Sequence, residues 1–283
     1  MANLHLLKLS VLDLSWSNMT KDWEGWSSFM ASTRLKVLHL GWCPKLRCTP
    51  DLSAFTQLKI LILNDCDELE HLHPSIGKLT NLVSLDLSDC ISLKELPEEV
   101  SELQDLEELL LDHTGITEIP TSIGSLRKLK KLSASCLSLR EIPSSIGDLQ
   151  NLQHLDLSGS EIEKLPNAIG RLKNLQTLCL ESCPYLEGAI PSEIGDLSSL
   201  ESLNISFTSI SNLPESIQNV SSLQCLNLEG CDELQSLPKL PLGLTILSES
   251  EILMPLHSNV STPELSTPEL DEALQSEIEA AFL

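Results

Sequence analysis

Nine cysteines and seven histidines are the residues of this chain that could bind a metal ion, form disulfides or act in covalent catalysis. Zinc sites and dithiol centres usually need a CxxC pair, and the sequence contains none; the nearest arrangement is the CxxxC of Cys179 and Cys183. Phosphate loops of the type GxxxxGK followed by Ser or Thr, GxSxG elbows and HExxH motifs are also absent from the sequence. We therefore predict no metal ion, no cofactor and no enzymatic activity.

The spacing of the cysteines instead follows a repeat. Several of them stand eight residues after a leucine that begins an LxxLxL sequence, namely Cys43, Cys66, Cys90, Cys183 and Cys231. Other copies of the repeat hold at this position Thr114, Leu137, Ser160 and Thr208. We predict a small buried side chain here that contacts the backbone of a turn. The odd number of cysteines and the absence of a signal peptide favour reduced thiols in a cytosol-like compartment.

Copies of LxxLxL recur along most of the chain. Their first leucines are separated by 23, 24, 24, 23, 23, 23, 25 and 23 residues, and they are Leu35, Leu58, Leu82, Leu106, Leu129, Leu152, Leu175, Leu200 and Leu223. The alternating leucines predict a short strand, and a proline three residues before Ile or Val predicts a helical turn in the return half of most copies. One strand plus one return segment at this period is typical of a leucine-rich-repeat coil, which buries its leucines only against neighbouring coils.

The predicted fold is therefore an α/β leucine-rich-repeat solenoid, or horseshoe, of about ten coils. Its concave wall is a parallel sheet, and its convex side consists of short helical or irregular turns. We expect a first, irregular repeat over 1–34 and the regular array over 35–247. Residues 248–283 are expected to form an acidic linker, with STPEL twice in tandem, and a short C-terminal helix.

The formal net charge of −23 argues against nucleic acid or an anionic membrane surface as the main partner, because both reward clusters of Lys and Arg. No apolar run reaches the length of about 18 residues that a membrane span needs. Lys8 and Asp13 interrupt the leucine-rich start of the chain, so it does not read as a secretory signal peptide. The expected location is the cytoplasm, with the nucleus as a second compartment.

The candidate binding surface is the concave face. In each strand the residues one, two and four positions after the first leucine should point away from the core. We expect an exposed apolar patch of Val37, Ile60, Ile62 and Val83 near the N-terminal coils, with His39 among them and Trp16 and Trp42 at the strand ends. Acidic residues then line the middle, where His154 also lies, and two lysines interrupt them: Asp86, Glu107, Glu108, Asp112, Asp156, Lys130 and Lys131. A protein partner is predicted to use one of these two patches.

The repeats are similar to those of a known family. The frame LxxLxLxxCxxLxxLPxSIGxLxxL, the early coil LKVLHLGWCPKLRCTPDLSAFTQL and the terminal SLPKLPLGLTIL resemble the repeat domain of plant intracellular nucleotide-binding leucine-rich-repeat disease resistance proteins of the Toll/interleukin-1-receptor class. This resemblance implies a recognition module that senses a pathogen effector or a guarded host protein. Neither the nucleotide-binding domain nor the Toll-like domain of that family is present in this sequence, and a partner of the module could also be those upstream domains.

Two other interpretations stay open. Coils such as SSIGDLQNLQHLDLSGSEIEKLP also resemble intracellular Ras-group leucine-rich-repeat signalling scaffolds. The single coil EGAIPSEIGDLSSL resembles secreted plant repeat proteins, including polygalacturonase inhibitors and receptor-kinase ectodomains.

Overall fold

The computed structural model describes residues 8–249, which lie within one compact unit. Their main feature is an open sheet of eleven parallel strands that follow one another in chain order. These strands are β1 (Val11–Asp13), β2 (Val37–His39), β3 (Ile60–Ile62), β4 (Ser84–Asp86), β5 (Glu108–Leu110), β6 (Lys131–Ser133), β7 (His154–Asp156), β8 (Thr177–Cys179), β10 (Ser202–Asn204), β12 (Cys225–Leu228) and β13 (Ile246–Glu249). The predicted leucine-rich-repeat solenoid is confirmed.

The return halves of the coils carry short helices. One is an α-helix, Trp26–Phe29, and the others are 3₁₀ helices: Pro74–Lys78, Glu98–Glu102, Thr121–Ser125, Ser144–Asp148, Asn167–Arg171, Ser192–Asp196 and Glu215–Asn219. A small second sheet pairs β9 (Gly188–Ala189) with β11 (Ile210–Asn212) in parallel. β9 belongs to the coil EGAIPSEIG, whose sequence resembles secreted plant repeat proteins.

Neighbouring strands pair in register, so that every coil places the same repeat position beside its counterpart. The middle leucines of β2, β3 and β4 are Leu38, Leu61 and Leu85; they are direct partners, and all three are fully buried. The backbone continues this stacking at both ends of the strands. At the start of β3, for example, the amides of Lys59 and Ile60 both donate to the Lys36 carbonyl at 2.7 and 3.0 Å. Each coil therefore needs its neighbour to satisfy its backbone and to cover its leucines.

A further ladder runs along the rim just beyond the strand ends, and we call it the rim ladder. Seven residues after its first leucine, almost every coil has a residue with positive φ whose amide donates to the next coil, as Trp42 donates to the Asn64 carbonyl at 2.9 Å. The members with this bond are Trp16, Trp42, Asp65, Asp89, His113, Gly159, Ser182 and Phe207. Gly230 shares the backbone conformation.

The repeated cysteine position is a buried hydrogen-bonding slot. The thiol of Cys66 donates to the Leu40 carbonyl of the preceding coil at 3.2 Å, and Cys90 donates to Leu63 in the same way at 3.1 Å. Hydroxyl residues at this position instead bond within their own coil, as Thr114 does to the Leu111 carbonyl at 2.8 Å. The predicted small side chain that contacts the turn backbone is confirmed for these residues.

One assignment to this slot was wrong. Leu137 is 72% exposed, and Cys136 fills the slot in its coil, fully buried and with its thiol 2.9 Å from the Leu111 carbonyl. The turn is one residue shorter there, because the Cys136 amide bonds back to the Ala134 carbonyl at 2.8 Å. This tighter turn replaces the rim-ladder residue of that coil.

The two ends of the array are the first coil, within the predicted segment 1–34, and the last described strand, β13. In the segment 1–34, the described residues form β1 and a return in which Trp26 is buried, with its Nε1 donating to the Thr20 carbonyl at 3.0 Å. The last described strand reaches Glu249, two residues beyond the predicted end of the array. The rest of the predicted linker and helix, from residue 250 onward, lies outside the described residues.

Glycines in the 3₁₀ helices allow adjacent coils to approach closely, as the sequence pattern predicts. A Cβ atom added to Gly147 would lie 2.5 Å from the Ala168 carbonyl oxygen, which is a backbone atom of the next coil. The coil at the end of the helix series has Gln218 at the equivalent position, and that side chain is exposed.

We predict that Gly147→Ala lowers the free energy of unfolding by about 1–3 kcal/mol, because the new methyl group overpacks a backbone contact. Gln218→Ala, the matched substitution at the same repeat position, should change it by about 0.5 kcal/mol or less. Urea denaturation of the two variants beside the wild type measures both values. Equal stability of Gly147→Ala and the wild type would contradict the close approach of the coils.

We also predict that the slot cysteines resist thiol reagents in the folded protein. The slot cysteines are all buried, so a reagent cannot reach their thiols. Burial also raises the pKa of the Cys90 thiol to about 12 and raises the pKa of Cys136 and of Cys183. Cys43 differs, because a hydrogen bond with Cys66 lowers its pKa to about 6, and its protection rests on burial alone. At pH 8 a colorimetric disulfide reagent should modify only the three half-buried cysteines, Cys48, Cys179 and Cys225, and it should modify Cys48 and Cys179 slowly because burial raises their pKa as well. All nine cysteines should react once the chain is unfolded. Rapid modification of more than three thiols in the folded protein would show that the slot opens.

Candidate functional site

Three rows of side chains cover the concave face. The leading row precedes each strand and contains Lys36, Lys59, Val83, Glu107, Lys130, Gln153, Gln176, Glu201 and Gln224. The central row begins the strands and runs in register through Val37, Ile60, Ser84, Glu108, Lys131, His154, Thr177, Ser202 and Cys225. The strand-end row ends them and runs through Asp13, His39, Ile62, Asp86, Leu110, Ser133, Asp156, Cys179, Asn204 and Asn227.

The expected exposure of Val37 and Ile60 is wrong. Both belong to the central row, and only 2% and 3% of their surfaces are accessible. A side chain in this row is flanked by the equivalent side chains of two strands at about 4.8 Å, and by the other two rows along its own strand. Ile62 and Val83 lie in the outer rows and remain half-buried. The apolar patch is therefore smaller than the sequence predicts.

The charged residues in the middle of the face form ion pairs between neighbouring coils. The ammonium group of Lys131 lies 3.2 Å from Glu108, which is buried and also accepts a hydrogen bond from the Ser84 hydroxyl at 3.0 Å. In the leading row, the Lys130 ammonium group lies 2.7 Å from the Glu107 carboxylate. The predicted acidic stripe is thus largely neutralised at this point by the two lysines within it.

The carboxylates of the strand-end row close the turns that follow the strands. Asp86 accepts the Ser88 amide at 3.0 Å, and Asp156 accepts the Ser158 amide at 2.9 Å. In a later coil Asn204 makes the same contact, so a neutral acceptor serves equally well. Burial raises the pKa of Asp86, and the charges of nearby carboxylates add to this effect. Each of these acids therefore has a structural role within its coil.

Asp112 has a related role across two coils. Its Oδ1 accepts the Ser133 hydroxyl at 2.7 Å and the Ser135 amide at 2.9 Å. The coil that contains Ser133 lacks an Asp or Asn at its own strand-end position, and Asp112 supplies the missing acceptor from the preceding coil. Sequence spacing within one coil could not reveal this contact.

The two concave histidines are both half-buried. Burial lowers the pKa of His154, with Lys131 next in effect, and its Nδ1 lies 3.3 Å from the Thr177 hydroxyl. His39 lies in the strand-end row with its Nδ1 3.5 Å from a carboxylate oxygen of Asp13. The hydrogen-bond partner of the His154 ring is therefore a threonine hydroxyl, not a cysteine or serine.

Trp16 and Trp42 lie beyond the strand ends, as predicted, and they are stacked. Their ring centroids are 4.4 Å apart and the ring planes differ by 5°. Trp16 is 71% exposed and Trp42 is 41% exposed. Both tryptophans stand seven residues after the first leucine of their coils, and this shared offset is the sequence feature that could have predicted the stack.

Sequence reasoning missed several other exposed apolar side chains. Ile91, Leu137, Tyr185 and Phe207 are all at least 49% exposed. Phe207 shares the rim-ladder position of the two tryptophans. Within the described residues, no group of three metal-ligand side chains is close enough to hold an ion, and no helix is long and apolar enough to cross a membrane.

The sequence matches known families over much of this array. Residues 42–139 match the family described as "Leucine-rich repeat region", and residues 151–172 and 199–220 match "Leucine Rich Repeat". The chain therefore carries a leucine-rich-repeat domain. Domains of this class generally mediate protein–protein recognition, and their stacked coils create extended concave surfaces for it.

Solved structures with the same fold include plant and bacterial proteins. The ectodomain of the Arabidopsis thaliana receptor kinase GASSHO1/SCHENGEN3, in complex with CASPARIAN STRIP INTEGRITY FACTOR 2, is 26% identical with a TM-score of 0.61. That match covers 79% of this chain but 31% of the ectodomain, so this chain spans about a third of it. The leucine-rich-repeat domain of the type III effector XopL is 28% identical with a TM-score of 0.56, covering 78% of this chain and 70% of that domain. The plant peptide hormone receptor RGFR1 shares the fold at 23% identity and a TM-score of 0.55, covering 87% of this chain and 48% of the receptor.

We predict that Asp86→Asn keeps or raises the free energy of unfolding at pH 7. The asparagine retains an oxygen for the Ser88 amide, as Asn204 does for Ser206, and removes a half-buried negative charge. The pKa of Asp86 is higher in the folded than in the unfolded state, so protonation of Asp86 stabilises the folded wild type. The difference in unfolding free energy between the variant and the wild type should therefore shrink as the pH falls through that pKa. Urea denaturation at pH 7 and at pH 4 measures this. A large loss of stability at pH 7 would show that the charge itself stabilises the fold.

Proposed function

We propose that this chain is a non-catalytic protein-recognition module of plant innate immunity. Its partner would be a pathogen effector, a guarded host protein or the upstream domains of a receptor, and it would act inside the cell. The observation that supports the proposal is that the buried positions of the coils repeat while the positions of the leading row vary. Buried leucines and slot residues repeat from coil to coil, whereas the leading row changes from Lys36 and Lys59 to Gln153 and Gln176.

The leading row and the rim supply the side chains that a partner would contact. Glu107 and Lys130 are 36% and 49% exposed, although they pair with each other. Gln153 and Gln176 lie beyond this pair, half-buried, and their side chains make no hydrogen bond to another described residue. The resemblance of the coil frame to plant disease resistance proteins supports the choice of biological setting.

A second candidate function is recognition of a peptide ligand, as in a receptor ectodomain. The pairing of β9 with β11 supports it, since β9 comes from the EGAIPSEIG coil that resembles secreted plant repeat proteins. The similarity to the GASSHO1/SCHENGEN3 ectodomain also favours it. Peptide recognition is the weaker alternative, because a single coil resembles secreted repeat proteins whereas the other coils resemble those of plant disease resistance proteins.

The proposal is tested by partner capture from infected and uninfected plant leaves with the tagged chain. The informative variant is Gln153→Arg with Gln176→Arg, which adds charge to the leading row. Its matched control is Thr80→Arg with Thr121→Arg, which adds the same charge at exposed positions of the return segments.

We expect at least one protein from infected leaves to be captured by the wild type and by the threonine variant, and to be lost by the glutamine variant. Recovery of the same proteins by all three chains would contradict recognition through the concave face. Proteins enriched equally from infected and uninfected leaves would contradict the role in immunity and favour a constitutive scaffold.

A further inference from the structure

At the N-terminal end of the rim ladder, Trp16 and Trp42 have side chains far larger than the ladder conformation requires. The ladder requires only a residue with positive φ, and Gly159 and Gly230 satisfy that requirement without any side chain. Most other members are Asp, His or Ser, of which Asp and His adopt this conformation more readily than large residues do. Trp16 and Trp42 nevertheless occupy it in successive coils, with φ of 60° and 58°. Bulky residues in unfavourable conformations tend to mark functional positions.

The two indoles are exposed and held in place before any partner arrives. Their parallel stack at 4.4 Å restrains both rings, so a partner would not have to order them. Rigid, exposed tryptophans are the side chains that most often dominate binding energy at protein interfaces. A flat aromatic face also attracts cations, and arginine most often among them.

Carboxylates continue the row directly after the tryptophans. The Trp42 amide bonds to the Asn64 carbonyl, and Asp65 follows as the next member of the rim ladder, with Asp89 after it. Asp67 is exposed in the same coil as Asp65. Burial, and next the charge of Asp89, raise the pKa of Asp65.

These acids have no cationic partner within the described part of the chain, and Asp65 instead accepts a hydrogen bond from the Asn64 amide group at 2.8 Å. Among residues 8–249, no Lys or Arg lies within ion-pair distance of Asp65, Asp67 or Asp89. Arg47, a cation of the preceding coil, pairs with Glu68 and Glu70 instead. Lys36 and Lys59 stand at the starts of their strands, whereas the rim lies beyond the strand ends. Negative charge beside the stack is therefore left for a partner to neutralise.

We propose that the stack of Trp16 and Trp42, with Asp65 and Asp89 beside it, is a docking surface for an arginine-bearing segment of a protein partner. A guanidinium group combines the two properties required, since it stacks on aromatic rings and donates paired hydrogen bonds to carboxylates. A lysine ammonium group satisfies the charge but does not stack in this way. This inference rests on the proposed function in that the partner is a protein, and it names the chemistry of the contact.

The test uses the full chain and a variant that removes the indoles without changing the backbone. Trp16→Gly with Trp42→Gly gives these coils the residue that Gly159 and Gly230 provide in others. The melting temperature should therefore stay the same or rise. The matched control is Phe207→Gly, which removes an exposed aromatic ring from the same repeat position in a distant coil.

The probe is a short acetylated, fluorescein-labelled peptide of alternating glycine and arginine, compared with its glycine–lysine counterpart by fluorescence polarisation. We expect the wild type and Phe207→Gly to bind the arginine peptide about threefold to tenfold more tightly than the lysine peptide. The double glycine variant should lose this preference. Asp65→Asn with Asp89→Asn should weaken both peptides and reduce the dependence of binding on salt.

Equal binding of the two peptides by the wild type would overturn the proposal, and so would a preference that survives in the double glycine variant. A fall of several degrees in the melting temperature of that variant would also overturn the proposal, because it would show that the stacked tryptophans serve to stabilise the fold. The peptides report only on the rim. Partner capture that depends on Gln153 and Gln176 would still hold if this inference failed.

Discussion

Stacking of one coil on the next is the constraint on which the rest of this structure depends. A coil alone cannot cover its leucines or pair its strand, so each buried position must fit the same position of its neighbour. The leucine row of Leu38, Leu61 and Leu85 shows this most plainly, since the three residues are in register and fully buried. The cysteine slot obeys the same rule through the backbone, because its thiols bond to carbonyls one coil away. On the convex side, the close approach of Gly147 to the backbone of the next coil shows the same requirement for matching neighbours.

The same constraint decides which surface residues remain available for recognition. Stacking buries the central row of the concave sheet from Val37 to Glu108 and leaves its later members half-buried, and it joins Glu108 to Lys131 across two coils. Carboxylates of the strand-end row are used to close turns. Variation from coil to coil in these two rows therefore partly reflects pairing between neighbours. Side chains of the leading row and the rim ladder make fewer such contacts, apart from the ion pair of Lys130 with Glu107 and the stack of Trp16 on Trp42, and both proposed contacts lie there.

Much of the fold could be predicted from the sequence because it depends on spacing. The period located the strands, the prolines located the 3₁₀ helices, and the recurrence of Cys43, Cys66 and Cys90 indicated a structural slot. Contacts between coils could not be predicted in the same way. The burial of Val37 and Ile60 depends on the strands at either side, and the stack of the two tryptophans depends on the rim conformation. The exchange of Cys136 for Leu137 in the slot required knowledge of a turn that is one residue shorter.

Hydrogen exchange of the free chain, followed by mass spectrometry, tests most directly whether neighbouring coils stabilise one another. If they do, the amides of the strands from β3 to β12 should exchange slowly and as one set, because each strand donates to the next and opening one coil exposes its neighbours. Segments around Leu137, where the rim ladder is interrupted, should exchange sooner than the corresponding segments of other coils. Rapid exchange in the central strands, with protection confined to isolated coils, would contradict an array held together by stacking.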